Sequence, residues 1–233
     1  MNYLILNGKK STYVQGLLIQ SLPPITKPKI RTERIEIDGR DGDIITELGY
    51  EAYDRQVTIG LYGNYDVDEV IRYFNSEGVA TFSNEPYKYY NYKILDQIDL
   101  DKLIRFRQAT VTFHVQPFKY STVEPLRAYN TSGVQSIEVQ NSGNYKAKPI
   151  ITIYGSGIIN LSLNDMQVFV INLGNEGHIT INVAEQEATK DNILKNRLVI
   201  GNYDNFMFNI GVNKISWMGS VTKIEIENYS RWI

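Results

Sequence analysis

Apolar and polar residues alternate over much of the chain, and strict alternation with a period of two is typical of β-strands that bury one face. The clearest stretch is "RFRQATVTFHVQ" (105–116), where every second residue from Ala109 to Val115 is apolar. The pattern therefore predicts a mainly β protein built from antiparallel strands. The same alternation recurs in "RQVTIGLY" (55–62), "HITINV" (178–183) and "VTKIEIEN" (221–228).

One segment follows a helical period instead. In "NYDVDEVIRYFNSEG" (64–78), apolar residues recur at i, i+3, i+4 and i+7, which forms one stripe along a helix. Asp66 is placed to cap the N-terminus, Glu69 stands at capping-box spacing, and Gly78 stands where a left-handed C′ residue is expected. The stripe consists of Val67, Val70, Ile71 and Phe74.

A domain boundary is predicted within "PFKYSTVEPLRAYNTSG" (117–133), which follows a strong strand, contains two prolines and ends in small polar residues. The 233 residues suffice for one large all-β domain or two smaller ones. We expect an N-terminal domain over 1–130 with strands and one helix at about 66–77. Residues 131–233 show only strands, separated by turn signals at the spacing of a β-sandwich.

The stretch "DGRDGD" (38–43) lies between two alternating segments, and its three aspartates raise the question of a metal loop. A calcium loop needs oxygen ligands at positions 1, 3, 5 and 12. Counted from Asp38, position 3 is an arginine; counted from Asp41, position 5 is an isoleucine. Asp-Gly between alternating strands is a hairpin signal, because glycine adopts positive φ readily. The stretch is interpreted as a turn.

Composition excludes several kinds of chemistry. The chain has no cysteine, which rules out disulfides and cysteine-ligated metals. Its two histidines, His114 and His178, have no second ligand nearby in sequence, and no nucleophile or phosphate-binding motif is present. We expect no catalytic, cofactor-binding or metal-binding residue and no enzyme activity, although paired carboxylates from distant strands would leave no spacing signature.

Nucleic acid and membrane are also unexpected partners. The net charge of −2 lacks the basic excess typical of nucleic-acid binding. No apolar run approaches the roughly 20 residues that span a bilayer. The N-terminal "MNYLILNGKK" has no basic region ahead of its short apolar patch, so it is not interpreted as a signal peptide.

A carbohydrate-binding, lectin-like β-sandwich is one candidate function. Sugar sites on such folds use an exposed aromatic residue, and the two tryptophans are the candidates. Trp217 shares its strand face with Ile215, which favours a core position. Trp232 stands one residue from the end of the sequence and is interpreted as holding the final strand.

Several landmarks resemble, in order, those of siphophage distal tail proteins, the hub of the baseplate or tail tip. The resemblance covers nearly the whole chain, and no single motif decides it. It rests on "IEIDGRDGDI" (35–44), "YDRQVTIGLYG" (53–63), "FNSEGVATFSNEPYKYYNYKI" (74–94), "FRQATVTFHVQPFKYS" (106–121), "VQNSGNYKAKPIITIYGSG" (139–157) and "GVNKISWMGSVTKIEIENYSRWI" (211–233).

The resemblance implies a barrel-like N-terminal β domain with one helix and a galectin-like C-terminal β-sandwich. It further implies a virion protein of the tail tip, made in the bacterial host cytoplasm, with a prophage origin equally compatible. Six copies would form a ring, single or as two stacked rings, that joins the tail-tube protein to the tail-associated hub protein and leaves a channel for DNA. A receptor-binding protein is a further candidate partner.

Two points stay open at this stage. The turn at 38–43 is either a solvated loop or a place where Arg40 or the aspartates contact a neighbouring copy. The second domain has only about 100 residues, which leaves no room for the long insertions that form an arm or a sugar-binding module in some relatives.

Overall fold

The computed structural model describes residues 1–74, 76–124 and 126–233. The chain divides into two compact units, Met1–Thr122 together with Ile233, and Val123–Trp232. The division falls within the proline-containing segment 117–133. Each unit has its own core of buried apolar side chains.

The first unit consists of a half-barrel sheet and two helices. Its main sheet has the strand order β2-β1-β7-β8-β9-β6-β3, while β4 and β5 pair only with each other in a separate sheet. The elements are β1 (Leu4–Leu6), β2 (Lys9–Lys10), a 3₁₀ turn (Ser11–Tyr13), β3 (Leu17–Ser21), β4 (Ile30–Glu36), β5 (Asp43–Tyr50), β6 (Tyr53–Leu61), α1 (Val67–Tyr73), β7 (Glu77–Phe82), β8 (Lys88–Lys93), α2 (Leu100–Phe106) and β9 (Gln108–Ser121).

The strands of this unit confirm the prediction that alternating residues bury one face. All apolar residues from Ala109 to Val115 on one face of β9 are buried, as are their counterparts on β6. Edge-to-face aromatic contacts close the core, with Phe82 and Tyr92 at 5.7 and 5.1 Å from the ring of Phe113. The hydrophobic pattern thus specified both the strands and the face that they bury.

Helix α1 begins as predicted, since the Asp66 carboxylate accepts a hydrogen bond from the Asp68 amide at 2.9 Å. The predicted apolar stripe is wrong in part. Ile71 is 43% exposed, and Tyr73 takes the buried place, where its hydroxyl donates to the Leu4 carbonyl at 3.0 Å. An aromatic residue with a polar tip can be buried once its hydroxyl is bonded, which the simple apolar stripe overlooks.

The expected C′ role of Gly78 is also wrong. The helix ends at Tyr73, and Gly78 lies in β7 opposite Tyr92. Its φ of +145° suits glycine, and a Cβ there would clash with the Asn7 side chain. The glycine therefore permits the close approach of the Asn7 side chain, from the turn between β1 and β2, and does not end a helix.

The second helix, α2, was not predicted. Asp99 caps its start by accepting from the Lys102 amide at 2.8 Å, and Arg107 ends it in the left-handed conformation with φ of +57°. Strand β9 therefore begins at Gln108, three residues later than "RFRQATVTFHVQ" suggests. Only Leu103 of α2 is fully buried, so its seven residues carry too short an apolar stripe to be detected.

Strand β9 also runs further than expected, through Pro117 to Ser121. Its register with β8 shifts between Tyr90 and Tyr92, and its pairing with β6 stops at Val115. Proline is tolerated at such an irregularity because its missing N–H leaves no ladder bond unmade.

The second unit is a β-sandwich of strands and short 3₁₀ turns around one core. One path of its sheet has the order β10-β18-β12-β14-β15-β16, with β11 on β18, and β13 between β12 and β17. The elements are β10 (Arg127–Asn130), β11 (Ser136–Asn141), β12 (Ile150–Leu163), β13 (Met166–Gly174), β14 (His178–Asn182), β15 (Glu187–Lys190), β16 (Ile193–Leu194), β17 (Val199–Gly201), β18 (Gly211–Glu227) and β19 (Arg231–Trp232), with 3₁₀ turns at Asn196–Leu198 and Tyr203–Asn205.

The two long strands β12 and β18 pair with each other over much of their length. Their register shifts between Tyr154 and Asn160. Glycines permit the close approach there: a Cβ on Gly155 would lie 2.1 Å from the Ser220 oxygen, and one on Gly219 would lie 2.4 Å from the Ile158 oxygen. Side chains at these two positions would force the two strands apart.

Candidate functional site

The most unusual feature of the first unit is the hairpin of β4 and β5, which we call the arm (residues 30–50). The "DGRDGD" stretch forms its tip, so the turn interpretation is confirmed. The Arg40 amide donates to the Ile37 carbonyl at 3.1 Å, and Gly39 and Gly42 adopt φ near +80°. A Cβ on either glycine would meet no atom within 4 Å, which shows how open the tip is.

The arm has two unlike faces. The register pairs Ile35 with Ile44 on one face, next to the pair of Glu33 and Thr46; we call Ile35 and Ile44 the aliphatic face. The opposite face pairs Arg34 with Ile45 and carries most of the arm's charge beside it. Five aliphatic side chains of the arm are between 38% and 54% exposed: Ile35, Ile37, Ile44, Ile45 and Leu48. No residue in the described part of the chain covers the aliphatic face.

The root of the arm is tied firmly. The Glu51 amide donates to the Lys29 carbonyl at 2.8 Å, which closes the hairpin below its last register pair. The ring of Tyr50 meets that of Phe118 edge-on at 5.7 Å. The arm is thus fastened at one end only.

A buried ionic cluster lies beside this root. Arg55, Glu85 and Lys119 are only 1%, 8% and 3% exposed. The Glu85 carboxylate accepts from Arg55 Nη1 at 3.1 Å through one oxygen and from Lys119 Nζ at 3.0 Å through the other. The Tyr90 hydroxyl donates to the same carboxylate at 2.5 Å. Two cations share one anion, so the cluster carries one excess positive charge.

Burial and these hydrogen bonds shift the pKa values of side chains in and near the cluster. Burial raises the pKa of the Glu85 carboxyl, but the hydrogen bonds from Tyr90, Lys119 and Arg55 outweigh it and bring its pKa below the ordinary value of 4.5. Burial, together with the carboxylate that its hydroxyl binds, raises the pKa of Tyr90. Burial and the charge of Lys119 lower the pKa of Lys88.

Sequence reasoning missed this cluster, although a signal existed. Arg55 continues the inward-facing series of Val57 and Ile59, and Lys119 continues that of β9 beyond Val115. A charged residue on the buried face of an alternating strand is rarely found without a partner. The partner, Glu85, could not be identified because its position depends on how distant strands pair.

The structure does not bring the two histidines together with further ligands. His114 contacts Asp54, with Nδ1 2.8 Å from Oδ1. His178 stacks on Tyr154 at 5.4 Å, and its Nε2 lies 3.5 Å from Asp191. Across residues 1–74, 76–124 and 126–233, no three His, Cys, Asp or Glu side chains are placed to hold a metal ion. Neither helix of the described chain has the length and apolarity needed to cross a membrane.

The tryptophans do not form an exposed platform. Trp217 belongs to the core of the sandwich, as its alternation with Ile215 predicts. Trp217 also lines a groove of about 500 Å³, together with Gly133, Gln135 and Gly219. Trp232 is half-buried within β19.

Comparison with known proteins shows what the two units are similar to. Residues 7–115, nearly all of the first unit, match the model of the phage tail protein RIFT-related domain. Over these residues the chain is similar to a domain of phage tail proteins. The crystal structure of the SPP1 Dit (gp 19.1) protein, a paradigm of the hub adsorption apparatus in phages that infect Gram-positive bacteria, aligns over 100% of both chains with a TM-score of 0.66 and 16% identity. The two chains share the distal tail protein fold, which confirms the resemblance to that family.

Two further structures are more distant. Chains of the phage p2 baseplate in its activated conformation, one with Sr and one with Ca, match with TM-scores of 0.48 and 0.49 and identities of 8% and 9%. They cover 97% of this chain and 98% and 97% of their own. These TM-scores are too low to support an inference. No curated protein matches the sequence.

Proposed function

We propose that this protein forms a hexameric ring at the tip of the phage tail, as a structural component without catalytic, cofactor-binding or metal-binding residues. The ring, single or stacked in pairs, would connect the tail-tube protein on one side to the tail-associated hub protein on the other. A receptor-binding protein could attach to it. The tail-tip location in the virion, synthesis in the host cytoplasm and a prophage origin belong to the same proposal.

The observation that carries the proposal is the arm. An isolated two-stranded hairpin is marginally stable in water, and this one leaves its aliphatic face uncovered. Burying the remaining exposed area would contribute about 1 kcal/mol for each half-exposed side chain, since full burial contributes about 1.5–3 kcal/mol. An asymmetric projection that meets a different surface of the next copy makes a heterologous contact, and such contacts form a ring when the rotation from copy to copy closes.

The charge of the chain agrees with a channel for DNA. The net charge of −2 would neither drive copies apart nor retain a passing duplex by phosphate contacts. We therefore expect no specific nucleic-acid binding and no membrane association. In this proposal, the N-terminal unit lines the channel and the galectin-like sandwich lies outside it.

Electron microscopy of concentrated protein and of assembled tails tests the proposal. We expect discs of six subunits with a central hole, and labelling of the tail tip by a specific antibody. Because ring contacts can be weak in dilute solution, a monomer at low concentration agrees with the proposal. A closed dimer at high concentration, with no labelling of the tail tip, would refute it.

The carbohydrate-binding alternative has weaker support, because Trp217 faces the core and Trp232 is half-buried. Titration with host cell-wall saccharides separates the two functions. Saturable binding that is lost when Gln135 in the groove beside Trp217 is replaced by alanine would favour the lectin.

A further inference from the structure

We propose that Arg55 is a positioning residue that fixes the direction of the arm. The inference rests on the proposed function, in which the arm makes the contact between neighbouring copies. It concerns the two connections that join the arm to the main sheet: residues 22–29 lead into β4, and residues 51–52 lead from β5 into β6.

Arg55 lies on β6 just after the second connection and reaches the first one. Its Nη2 donates to the Pro24 carbonyl at 3.4 Å, while Nη1 binds Glu85. Asn84, next to Glu85, donates through Nδ2 to the Pro23 carbonyl at 2.9 Å. Arg55 of the cluster and Asn84 beside it therefore hold the segment that leads into the arm.

The guanidinium has little freedom to release this hold. Its carbon lies 4.4 Å from the ring centre of Phe82 and 4.6 Å from that of Tyr90, so aromatic rings restrict the guanidinium while Glu85 binds its nitrogen. Leaving a buried charge without its partner is strongly unfavourable, which selects one arrangement of the cluster.

The held segment is stiff and can transmit the constraint. Pro23 and Pro24 fix two successive φ angles, and Pro28 fixes another just before β4 begins at Ile30. A proline also restricts the residue before it to extended conformations. A hold on the Pro24 carbonyl therefore limits the direction in which the arm leaves the sheet.

Lys119 supplies a matched control. It binds the other Glu85 oxygen at 3.0 Å and is as deeply buried as Arg55. Within the described part of the chain, it makes no hydrogen bond to residues 22–26. Replacing either cation by methionine keeps an unbranched, flexible stem without the charged group and leaves Glu85 with one positive partner. A purely structural cluster would respond alike to both changes, whereas a positioning role singles out Arg55.

The test measures the direction of the arm in dilute, monomeric protein. Because the chain has no cysteine, spin labels on Asp41→Cys at the tip and Thr110→Cys on β9 report one distance without further engineering. Double electron–electron resonance should show a narrow distribution in the parent and in Lys119→Met. In Arg55→Met, with circular dichroism unchanged, we expect the width to increase at least twofold.

A parent-like width in Arg55→Met would overturn the proposal, as would equal broadening in Lys119→Met. If Arg55→Met does not fold, Asn84→Ala serves in its place, because it releases only the Pro23 carbonyl. This variant should broaden the distance distribution to a smaller extent. An unchanged distribution in Asn84→Ala would then overturn the proposal. Electron microscopy of the unlabelled chain separates the outcomes. If the parent chain forms no rings, the proposed function is contradicted. The width of the distance distribution still decides the role of Arg55 in that case.

Discussion

Strands β4 and β5 of the arm and strands β6 and β9 of the main sheet each carry aliphatic side chains on one face, yet these faces have opposite surroundings. Ile59 on β6 is fully buried, while Ile35 on β4 is about half exposed. The pair β6–β9 lies between β3 and β8, whereas β4 and β5 have only each other. Alternation thus shows that a strand has an apolar face, and the topology shows whether the same chain covers it.

The contrast extends to how each region is fastened. The main sheet encloses aromatic rings and the buried ionic cluster, so its strands are held by many partners at once. The arm is fastened only at its root, next to Tyr50. A region of this kind gains its stability from another surface, which is why we place the contact between copies there.

The largest expected effect comes from a matched pair of truncations. Ile59→Ala should lower the free energy of unfolding by about 2–5 kcal/mol, because it opens a cavity in the core. Ile35→Ala should change it by less than about 0.5 kcal/mol, because water already reaches that side chain in the monomer. Urea denaturation of dilute protein measures both. Equal losses would show that the arm is packed within its own chain.

A smaller effect is expected from acid. The pKa of Glu85 is lower in the folded than in the unfolded protein, so the stability it contributes is complete above the ordinary pKa of 4.5 and is lost as pH falls through the folded pKa. Glu85→Gln should therefore be less stable at neutral pH and should lose less further stability below pH 4.5 than the parent does.

Glu33→Gln, which changes an exposed carboxylate of the arm, is the control for the acid experiment. Its stability curve between pH 3 and 7 should overlay that of the parent. An acid response in Glu85→Gln as steep as that of the parent would place the main acid-sensitive group outside the cluster.

Much of the fold could be predicted, because the relevant signals are local. Alternation located the strands, and Asp-Gly marked the tip of the arm. Asp66 marked the start of α1 because a capping side chain binds an amide two residues away. The local signals failed where the apolar stripe was short, as in α2, or where a tyrosine replaced an aliphatic residue on the buried face of α1, as Tyr73 does.

The candidate site was predictable only in part. The hairpin could be recognised, but not that its aliphatic face stays uncovered, since that depends on where the whole arm lies relative to the main sheet. The ionic cluster joins Arg55, Glu85 and Lys119 from separate strands and a turn. Their contact depends on the register between strands, which alternation alone does not determine.

The most direct test of the central claim compares assembly after changes on the two faces of the arm. Sedimentation velocity over a concentration series, with electron microscopy of the top concentration, should show rings for the parent. The double variant Ile35→Ser/Ile44→Ser removes two aliphatic side chains from each contact, at about 1 kcal/mol apiece, which weakens each contact by about thirtyfold. It should remain monomeric with unchanged monomer stability, while Ile45→Ser on the opposite face should still form rings. Rings of the double variant at the parent's concentration would contradict the account.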